Sequence, residues 1–272
     1  MRAALAVWLV LAVVLVGADW LAPHDPRQIL DAEHLRSVSP SWRHPLGTDP
    51  SARDVLSRLL VGTRASLFLA IGAVSLATAI GVGIGTCAAA VGGMVDRVLM
   101  RVTDIGLALP RVLVLLTLVA LWNVRSLSAL VVAVGATGWM ATSRLVREEL
   151  RARLAEERVL AARAVGVPLA RVMTRHLLPA IGPLLLVTMT GALAQVLLLE
   201  AGLSVIGLGV QPPDASWGTV LHDVSEVVGR ARWLALGPGA VIVITVLATQ
   251  RIGDLVHHAL VTPSTPVLPI AS

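Results

Sequence analysis

The stretch LFLAIGAVSLATAIGVGIGTCAAAVGGMV, residues 67–95, carries no charged side chain over 29 consecutive positions. A helix needs about 20 predominantly apolar residues to cross the ~30 Å hydrocarbon core of a bilayer. The stretch is therefore long enough to span a membrane as one helix. Gly81 and Gly85 lie four positions apart within it, a spacing that lets two membrane helices pack closely together.

Five more stretches share this apolar character and are free or nearly free of charge. They are Ala3–Ala18, Ile105–Val124, Ser126–Ser143, Leu177–Leu199 and Trp233–Gln250. The chain of 272 residues is 56% hydrophobic and 14% charged, with a mean hydropathy of +0.82. A soluble domain carries about 25% charged residues, so a soluble fold and a disordered chain are both excluded. We predict an all-α integral membrane protein with six transmembrane helices.

The positive charge comes from arginine, because the sequence contains no lysine, and the net value is +5. In a soluble protein such an excess would suggest nucleic acid binding. Here the arginines lie between apolar spans, so no nucleic-acid partner is expected. Eight of them fall within residues 144–175, which predicts that this region faces the cytoplasm. With six spans, the N-terminus and the C-terminus are then both cytoplasmic.

Cysteine and histidine offer no recognisable site. The single cysteine, Cys87, cannot form an internal disulfide. No zinc-type spacing of cysteine and histidine is present, and His222 and the pair His257–His258 lack a full ligand set. We predict neither a metal site nor a catalytic residue, since no nucleophile–base or paired-carboxylate arrangement is visible.

The expected division of the chain follows the apolar pattern. It comprises a first transmembrane helix (1–22), an extracytoplasmic segment (23–65), a core of five transmembrane helices (66–262) with an inner loop (144–180) and an outer loop (208–232), and a disordered tail (263–272). The first helix resembles a signal peptide, because Arg2 precedes an apolar run that ends in small residues. We expect it to stay uncleaved as a signal anchor.

The 144–180 loop is too charged for lipid and has a helical pattern. Leu150, Leu154, Ala161 and Val165 recur at helical spacing, which predicts one helix with an apolar face. Gly166 is expected to end this helix in the left-handed conformation. Pro168 then suits the first turn of a second helix that runs to about residue 178.

Small residues surround this glycine, namely Ala161, Ala162 and Ala164. Two interpretations follow from the residues alone. The loop is either an interfacial helix whose arginines contact anionic lipid, or a docking surface for a soluble cytoplasmic protein. The residues by themselves leave both open.

A resemblance favours the second interpretation. The run VLAARAVG (159–166), followed by His176-Leu-Leu-Pro179, resembles the EAA signature of ATP-binding-cassette (ABC) importer permeases. Leu160 stands in place of the signature's Glu, and His176 in place of a hydrophobic residue. The runs HPLGTD (44–49) and RDVLSRLL (53–60) are similar to the dipeptide/oligopeptide/nickel branch of that family, as are further motifs between residues 92 and 218. The best match is the second permease of the pair.

This resemblance implies a type I permease fold with a cytoplasmic coupling helix, in a prokaryotic cell membrane. It implies a heterodimer with a homologous permease, two cytoplasmic ATPase subunits or a fused pair, and an extracytoplasmic solute-binding protein. ATP and Mg²⁺ would bind the ATPases, because this chain lacks a phosphate-binding Gly-x4-Gly-Lys loop. The chain itself would be non-catalytic, hold no cofactor, and form with its partner the path for di- and oligopeptides.

The resemblance also implies site residues. Those expected to couple to the ATPases are Val159, Leu160, Ala161, Ala162, Arg163, Gly166, Arg171, His176 and Pro179. Those expected at the gate or substrate path are Glu200, Ser204 and Gly207.

Charged residues near the spans lead to two further predictions, one for Glu200 and one for three residues on the inner side. A carboxylate near membrane depth is costly and usually functional, so Glu200 is expected to pair with an arginine or backbone donor near the outer gate. Contact with a substrate amine and hydration at the outer interface are its alternatives. Asp96, Arg101 and Asp104 are expected to form a solvated cap on the inner side.

Two further functions stay open from the sequence. The same machinery could import nickel, haem or another solute, since specificity in such systems lies largely with the binding protein. More remotely, the chain could be a stand-alone channel or secondary transporter, for which Glu200 is the clearest intramembrane charge.

Overall fold

The computed structural model describes residues 2–30, 35–122, 126–211, 214–225, 229 and 231–261. In chain order the helices are α1 (Arg2–Leu21), α2 (Val55–Val91), α3 (Gly93–Ala108), α4 (Arg111–Leu121), α5 (Leu127–Ala136), α6 (Met140–Leu154), α7 (Glu157–Ala164), α8 (Leu169–Val172), α9 (Leu178–Ala180), α10 (Gly182–Val205), α11 (Trp217–Ser225) and α12 (Trp233–Val261). A π-helical turn, Met173–Leu177, joins α8 to α9. Within the described residues the only β-type pairing is an isolated bridge between Thr48 and Asp54.

Four described helices are long and apolar enough to cross a membrane, namely α1, α2, α10 and α12. The pairs α3–α4 and α5–α6 each pass the same test as one bent span, which raises the number to six. The predicted all-α membrane fold is therefore confirmed. The predicted tail, 263–272, lies outside the described residues.

Two of the predicted spans are bent rather than straight. Helices α3 and α4 meet at 89°, and α5 and α6 meet at 45°. Pro110 explains the first bend, because a proline disfavours helical geometry at the residue before it, and Leu109 is extended with φ −82° and ψ 136°. Arg111 Nη2 bonds the Val134 carbonyl at 2.9 Å, so one side chain links the start of α4 to the last turn of α5.

Helix α2 is the central element, packing against α1, α5, α6, α10 and α11. A Cβ added to Gly85 would lie 2.5 Å from the Ser143 carbonyl oxygen, and one added to Gly81 would lie 2.7 Å from Thr142 Cβ. The predicted close packing at these two glycines is thus confirmed, and the partner is α6. Gly83, on the same helix, has nothing within 4 Å of an added Cβ.

Helix α2 starts earlier than the apolar pattern indicates. It begins at Val55, within the range expected to be an extracytoplasmic segment (23–65). Asp54 caps it, since its side chain accepts a hydrogen bond of 2.8 Å from the Ser57 N–H. Arg58 in the first turns is 4% exposed and pairs with Asp49 and Asp223, each at 2.5 Å. Arg58 interrupts the apolar pattern of the sequence, which is why that pattern places the start of α2 too late. In the folded chain these two ion pairs neutralise its charge.

Candidate coupling surface and buried carboxylate site

The 144–180 loop folds into more pieces than its pattern predicts. Helix α6 ends at Leu154 and α7 begins at Glu157, with Glu156 extended at φ −66° and ψ 141° between them. This break shifts the helical phase, so the predicted common apolar face is wrong. Leu150 is fully buried, whereas Val165 is 81% exposed.

The predicted stop at Gly166 is confirmed. Gly166 has φ +89°, its N–H donates to the Arg163 carbonyl at 3.0 Å, and the Val167 N–H donates to the Ala162 carbonyl at 3.1 Å. These two bonds form a Schellman motif, which satisfies the free carbonyls at a helix end. The chain then turns sharply, and Pro168 stands directly before α8.

The nine predicted coupling residues separate into three groups. Val159 is buried at 4% exposure, and Ala162 is half-buried. The exposed ones are Leu160, Ala161, Arg163, Gly166, Arg171, His176 and Pro179. We call the exposed face of residues 160–166 the α7 surface. It presents Leu160, 51% exposed, and Val165 beside charged Arg163.

A small hydrophobic cluster holds this surface in place. Val159 packs with Val172, Met173, Leu177 and Ile181. The same cluster includes residues of α2 and α6, namely Ala89, Val146 and Leu150. Helix α7 is therefore joined through Val159 to a cluster that includes residues of two membrane helices, α2 and α6.

An ion pair that the sequence did not indicate fixes α6 against α3. Arg147 Nε and Nη2 donate to the two carboxylate oxygens of Asp96, each at 2.8 Å. Arg151 Nη2 lies 2.9 Å from the same carboxylate. Asp96 is 5% exposed, so the expectation of a solvated cap is wrong for it. Asp104 remains at the surface with Arg144 at 3.4 Å.

Glu200 is buried on α10 at 1% exposure, which excludes the hydrated alternative. Its Oε1 accepts hydrogen bonds from Ser216 Oγ at 2.6 Å and Ser204 Oγ at 3.0 Å. Gly218, in the first turn of α11, lies beside this carboxylate, since a Cβ added to it would lie 2.7 Å from Glu200 Oε1. A helix N-terminus favours a negative charge. Glu200 is thus paired with two hydroxyls rather than with the predicted arginine or backbone donor, and no arginine among the described residues forms an ion pair with it.

The residues around Glu200 connect α10 to α2. Trp217 is fully buried, and its backbone N–H donates to Ser66 Oγ at 3.0 Å. Its indole N–H donates to Thr63 Oγ1 at 3.2 Å. Gly62 permits the close approach, since an added Cβ would lie 3.1 Å from the Ser216 Cα. The run Ser216-Trp217-Gly218, between α10 and α2, thus contacts both helices.

Of the three predicted gate residues, the structure brings two together. Ser204 lies one turn after Glu200 and hydrogen-bonds it. Gly207 instead ends α10, with φ +79° and an N–H bond of 2.9 Å to the Ser204 carbonyl. Sequence reasoning missed Ser66, Ser216 and Trp217 as members of this site. Two of them, Ser216 and Trp217, belong to the motif Ser216-Trp-Gly218, which is visible in the sequence. Nothing in that motif indicates that it contacts Glu200.

The comparisons with known proteins agree on one family. The family model described as "Binding-protein-dependent transport system inner membrane component" matches residues 59–262. The chain belongs to this family. A putative peptide permease protein of Brucella suis biovar 1 (strain 1330) is 39% identical over 251 residues, covering 92% of this chain and 82% of the relative. The nickel transport system permease protein NikC of Escherichia coli (strain K12) is 33% identical over 259 residues, which cover 95% of this chain and 92% of the relative.

A solved structure supports the same fold. The chain is similar to one in the inward-facing MetNI methionine ABC transporter, with a TM-score of 0.62 and 18% identity, covering 76% of this chain and 97% of that chain. The permease is therefore a multi-pass membrane component with the type I ABC importer fold. Family membership confirms the resemblance drawn from the EAA-type run and the motifs around it.

Proposed function

We propose that this permease forms, with a homologous permease, the membrane path for di- and oligopeptides in an importer driven by ATP hydrolysis. Two cytoplasmic ATPase subunits, or a fused pair, dock on the paired coupling loops of the two permeases, and the α7 surface is the part that this chain contributes. An extracytoplasmic binding protein delivers the solute, and both termini of this chain are cytoplasmic. ATP and Mg²⁺ bind the ATPases, while this chain contributes no catalytic group. The putative peptide permease relative supports the choice of cargo.

The exposure of the α7 surface is the observation that carries this proposal. Leu160 and Val165 present apolar side chains to the outside of a charged loop, 51% and 81% exposed. An apolar patch with a charged rim is typical of a protein interface. Because Val159 joins the cluster shared with α2 and α6, movement of a docked ATPase is transmitted to helices of the membrane core.

Glu200 has a positioning role in this proposal. Its carboxylate is 1% exposed and its Oε1 already accepts two hydroxyl bonds. A peptide amine would have to displace these bonds to reach it. The carboxylate therefore holds the start of α11 between α10 and α2, near the gate, while other groups contact the peptide.

The first test is purification of the tagged permease from its native membrane in mild detergent, with mass-spectrometric identification of the subunits that co-purify. We expect a second permease and cytoplasmic ATPases. The recovered complex is then placed in proteoliposomes, with ATP supplied on the side of the membrane where the ATPases lie. Uptake of a labelled dipeptide is measured. A chain that purifies alone and transports solute without ATP would overturn the proposal in favour of a channel or secondary transporter.

The docking assignment needs a separate variant. Val165→Glu places a charge on the α7 surface at a position exposed enough to leave folding intact, and we expect co-purification of the ATPases to fall at least about tenfold. Ala152→Glu makes the same kind of change on an exposed position of α6, outside the α7 surface. Equal recovery of ATPases with both variants would contradict docking at α7.

Nickel is the second candidate cargo, because the NikC relative is 33% identical over nearly the whole chain. Competition in the proteoliposome assay distinguishes the two. Excess unlabelled dipeptide should suppress uptake of the labelled dipeptide, and excess Ni²⁺ should not. ATP-dependent uptake of labelled Ni²⁺ together with no uptake of the dipeptide would replace peptide by nickel while leaving the ABC machinery in place.

A further inference from the structure

Three side chains from separate parts of the α1–α2 connection converge at the start of α2. His24 follows α1, His44 lies in the middle of the connection, and Asp54 caps α2. One nitrogen from each ring and one carboxylate oxygen all lie within 4.8 Å of one another. The two imidazole rings are 4.7 Å apart between centroids.

One nitrogen in this group lacks a partner. His44 Nδ1 lies 2.9 Å from Asp54 Oδ1, whereas His24 Nδ1 is 4.0 Å from the same oxygen. His24 Nδ1 is also buried from solvent and makes no hydrogen bond. Buried polar atoms are nearly always satisfied, so this nitrogen, 4.0 Å from a shared carboxylate oxygen, leaves a place for a ligand between the two atoms.

Ser57 fixes the carboxylate and the backbone of His24 together. Its hydroxyl donates to Asp54 Oδ2 at 2.7 Å and accepts from the His24 N–H at 3.0 Å. Oδ2 is thereby occupied, and Oδ1 is left for the imidazoles. The His44 backbone is held as well, since its N–H donates to Ser41 Oγ at 3.2 Å. Such outer contacts orient ligands in protein metal sites.

We propose that His24, His44 and Asp54 bind a divalent transition-metal ion of the Zn²⁺ or Ni²⁺ class. Two neutral imidazoles and one carboxylate suit these ions, whereas Ca²⁺ and Mg²⁺ prefer oxygen ligands throughout. Bond lengths of about 2.0–2.2 Å place the ligand atoms about 3.3 Å apart, so His24 moves inward on binding. Binding of the ion at His44 Nδ1 replaces the contact between His44 and Asp54, and the proton of the neutral ring is then carried by Nε2.

One of the three residues, His24, also lines a cavity of about 1320 Å³ beside α1 and α2. Water from this side would complete the coordination and leave the ion exchangeable. Once bound, the ion ties the segment after α1 to the first turn of α2. The inference is independent of the transported solute, because it uses only residues of the α1–α2 connection.

The test is a titration of the purified, chelator-treated full-length permease, carrying a tag without histidine, with Zn²⁺ by isothermal calorimetry. We expect one saturable equivalent for the wild type. His24→Phe keeps an aromatic ring at a partly exposed position, so the fold is retained, and should weaken binding at least about tenfold. A control with His257 and His258 both changed to alanine removes an adjacent histidine pair elsewhere and should bind like the wild type.

Thermal unfolding gives a second readout. Zn²⁺ should raise the unfolding midpoint of the wild type and of the His257/His258 control, but leave His24→Phe unchanged. Absence of saturable Zn²⁺ binding by the wild type, or binding by His24→Phe as tight as the wild type's, would overturn the proposal and leave a hydrogen-bonded cluster.

Discussion

Glu200 shows at the residue scale how a carboxylate can be accommodated in a membrane helix. The donors to it are Ser204, one turn along its own helix, and Ser216, directly before α11. Each hydroxyl contributes a hydrogen bond, a type worth about 0.5–1.5 kcal/mol. The carboxylate therefore stabilises the junction between two helices, and it depends on that junction in turn.

Removal of this carboxylate should destabilise the fold. Glu200→Ala leaves Ser216 and Ser204 without their acceptor, at about 1–3 kcal/mol for each buried group left unpaired. Glu200→Gln retains an acceptor oxygen and should cost less. The measurement is the thermal unfolding midpoint in detergent. Glu148→Ala is the control, since Glu148 is an exposed partner of Arg144 at 3.4 Å, and its loss is expected to change stability by under about 0.5 kcal/mol. Equal shifts for the two alanine variants would contradict a structural role for Glu200.

Single residues were predictable where one local rule decides their conformation. Gly166 is such a case, because glycine adopts the left-handed conformation that ends a helix without steric cost. The environment of Glu200 was only partly predictable, since Ser66 is distant along the chain. The cluster of His24, His44 and Asp54 was not predictable at all, because irregular backbone brings these residues together and follows no period.

At the scale of elements, the interface between α2 and α6 depends on glycine at one face of α2. Gly83 and Gly85 give a matched pair on the same helix, since an added Cβ meets open space at the first and the Ser143 carbonyl oxygen at the second. Gly85→Ala is expected to destabilise by about 1–3 kcal/mol through overpacking. Gly83→Ala should be neutral or stabilising, because alanine is the better helix former.

These two variants are compared by thermal unfolding and by the yield of monodisperse protein. A drop confined to Gly85→Ala agrees with the described interface. If Gly83→Ala is the more damaging variant, the interface has been assigned to the wrong face of α2.

The link between α3 and α6 is a second prediction at this scale. A double-mutant cycle of Asp96→Ala and Arg147→Ala should give a coupling free energy of about 1–3 kcal/mol, because the carboxylate is nearly buried and bonded at two points. The same cycle on Asp104 and Arg144 should give under about 0.5 kcal/mol, since both side chains are about half exposed, at 49% and 54%. Similar couplings in the two cycles would count against a special role for Asp96.

The number of elements was more predictable than their shape. Hydropathy located the apolar stretches because lipid selects for length and apolar character alone. The bend after α3 was not predicted, although Pro110 marks its position in the sequence. The break at Glu156 was not predicted either, because it depends on the packing of Val159 on the buried side of α7. The start of α2 was hidden because Arg58 pairs with Asp49 and Asp223, which only the folded chain brings together.

For the whole molecule, the placement of both termini in the cytoplasm remains a prediction. It is tested by single-cysteine labelling in a Cys87→Ser background, with a membrane-impermeant maleimide added to whole cells. Ser39→Cys, in the α1–α2 connection, should react in intact cells. Ala152→Cys, on the exposed side of α6, should react only after the membrane is opened. The opposite labelling pattern would mean that the topology is inverted. The α7 surface would then lie outside the compartment that holds ATP.

The contacts of helix α1 bear on the order in which the helices meet during synthesis of the chain. Helix α1 packs against α2 and also against α12, the last of the described helices. Roughly 210 residues separate the end of α1 from the start of α12, and at about 5–20 residues per second the ribosome needs ~10–40 s to make them. Over that interval lipid or a chaperone covers the side of α1 that α12 later occupies. A helix made before the other described helices is thus among the last to find all of its neighbours.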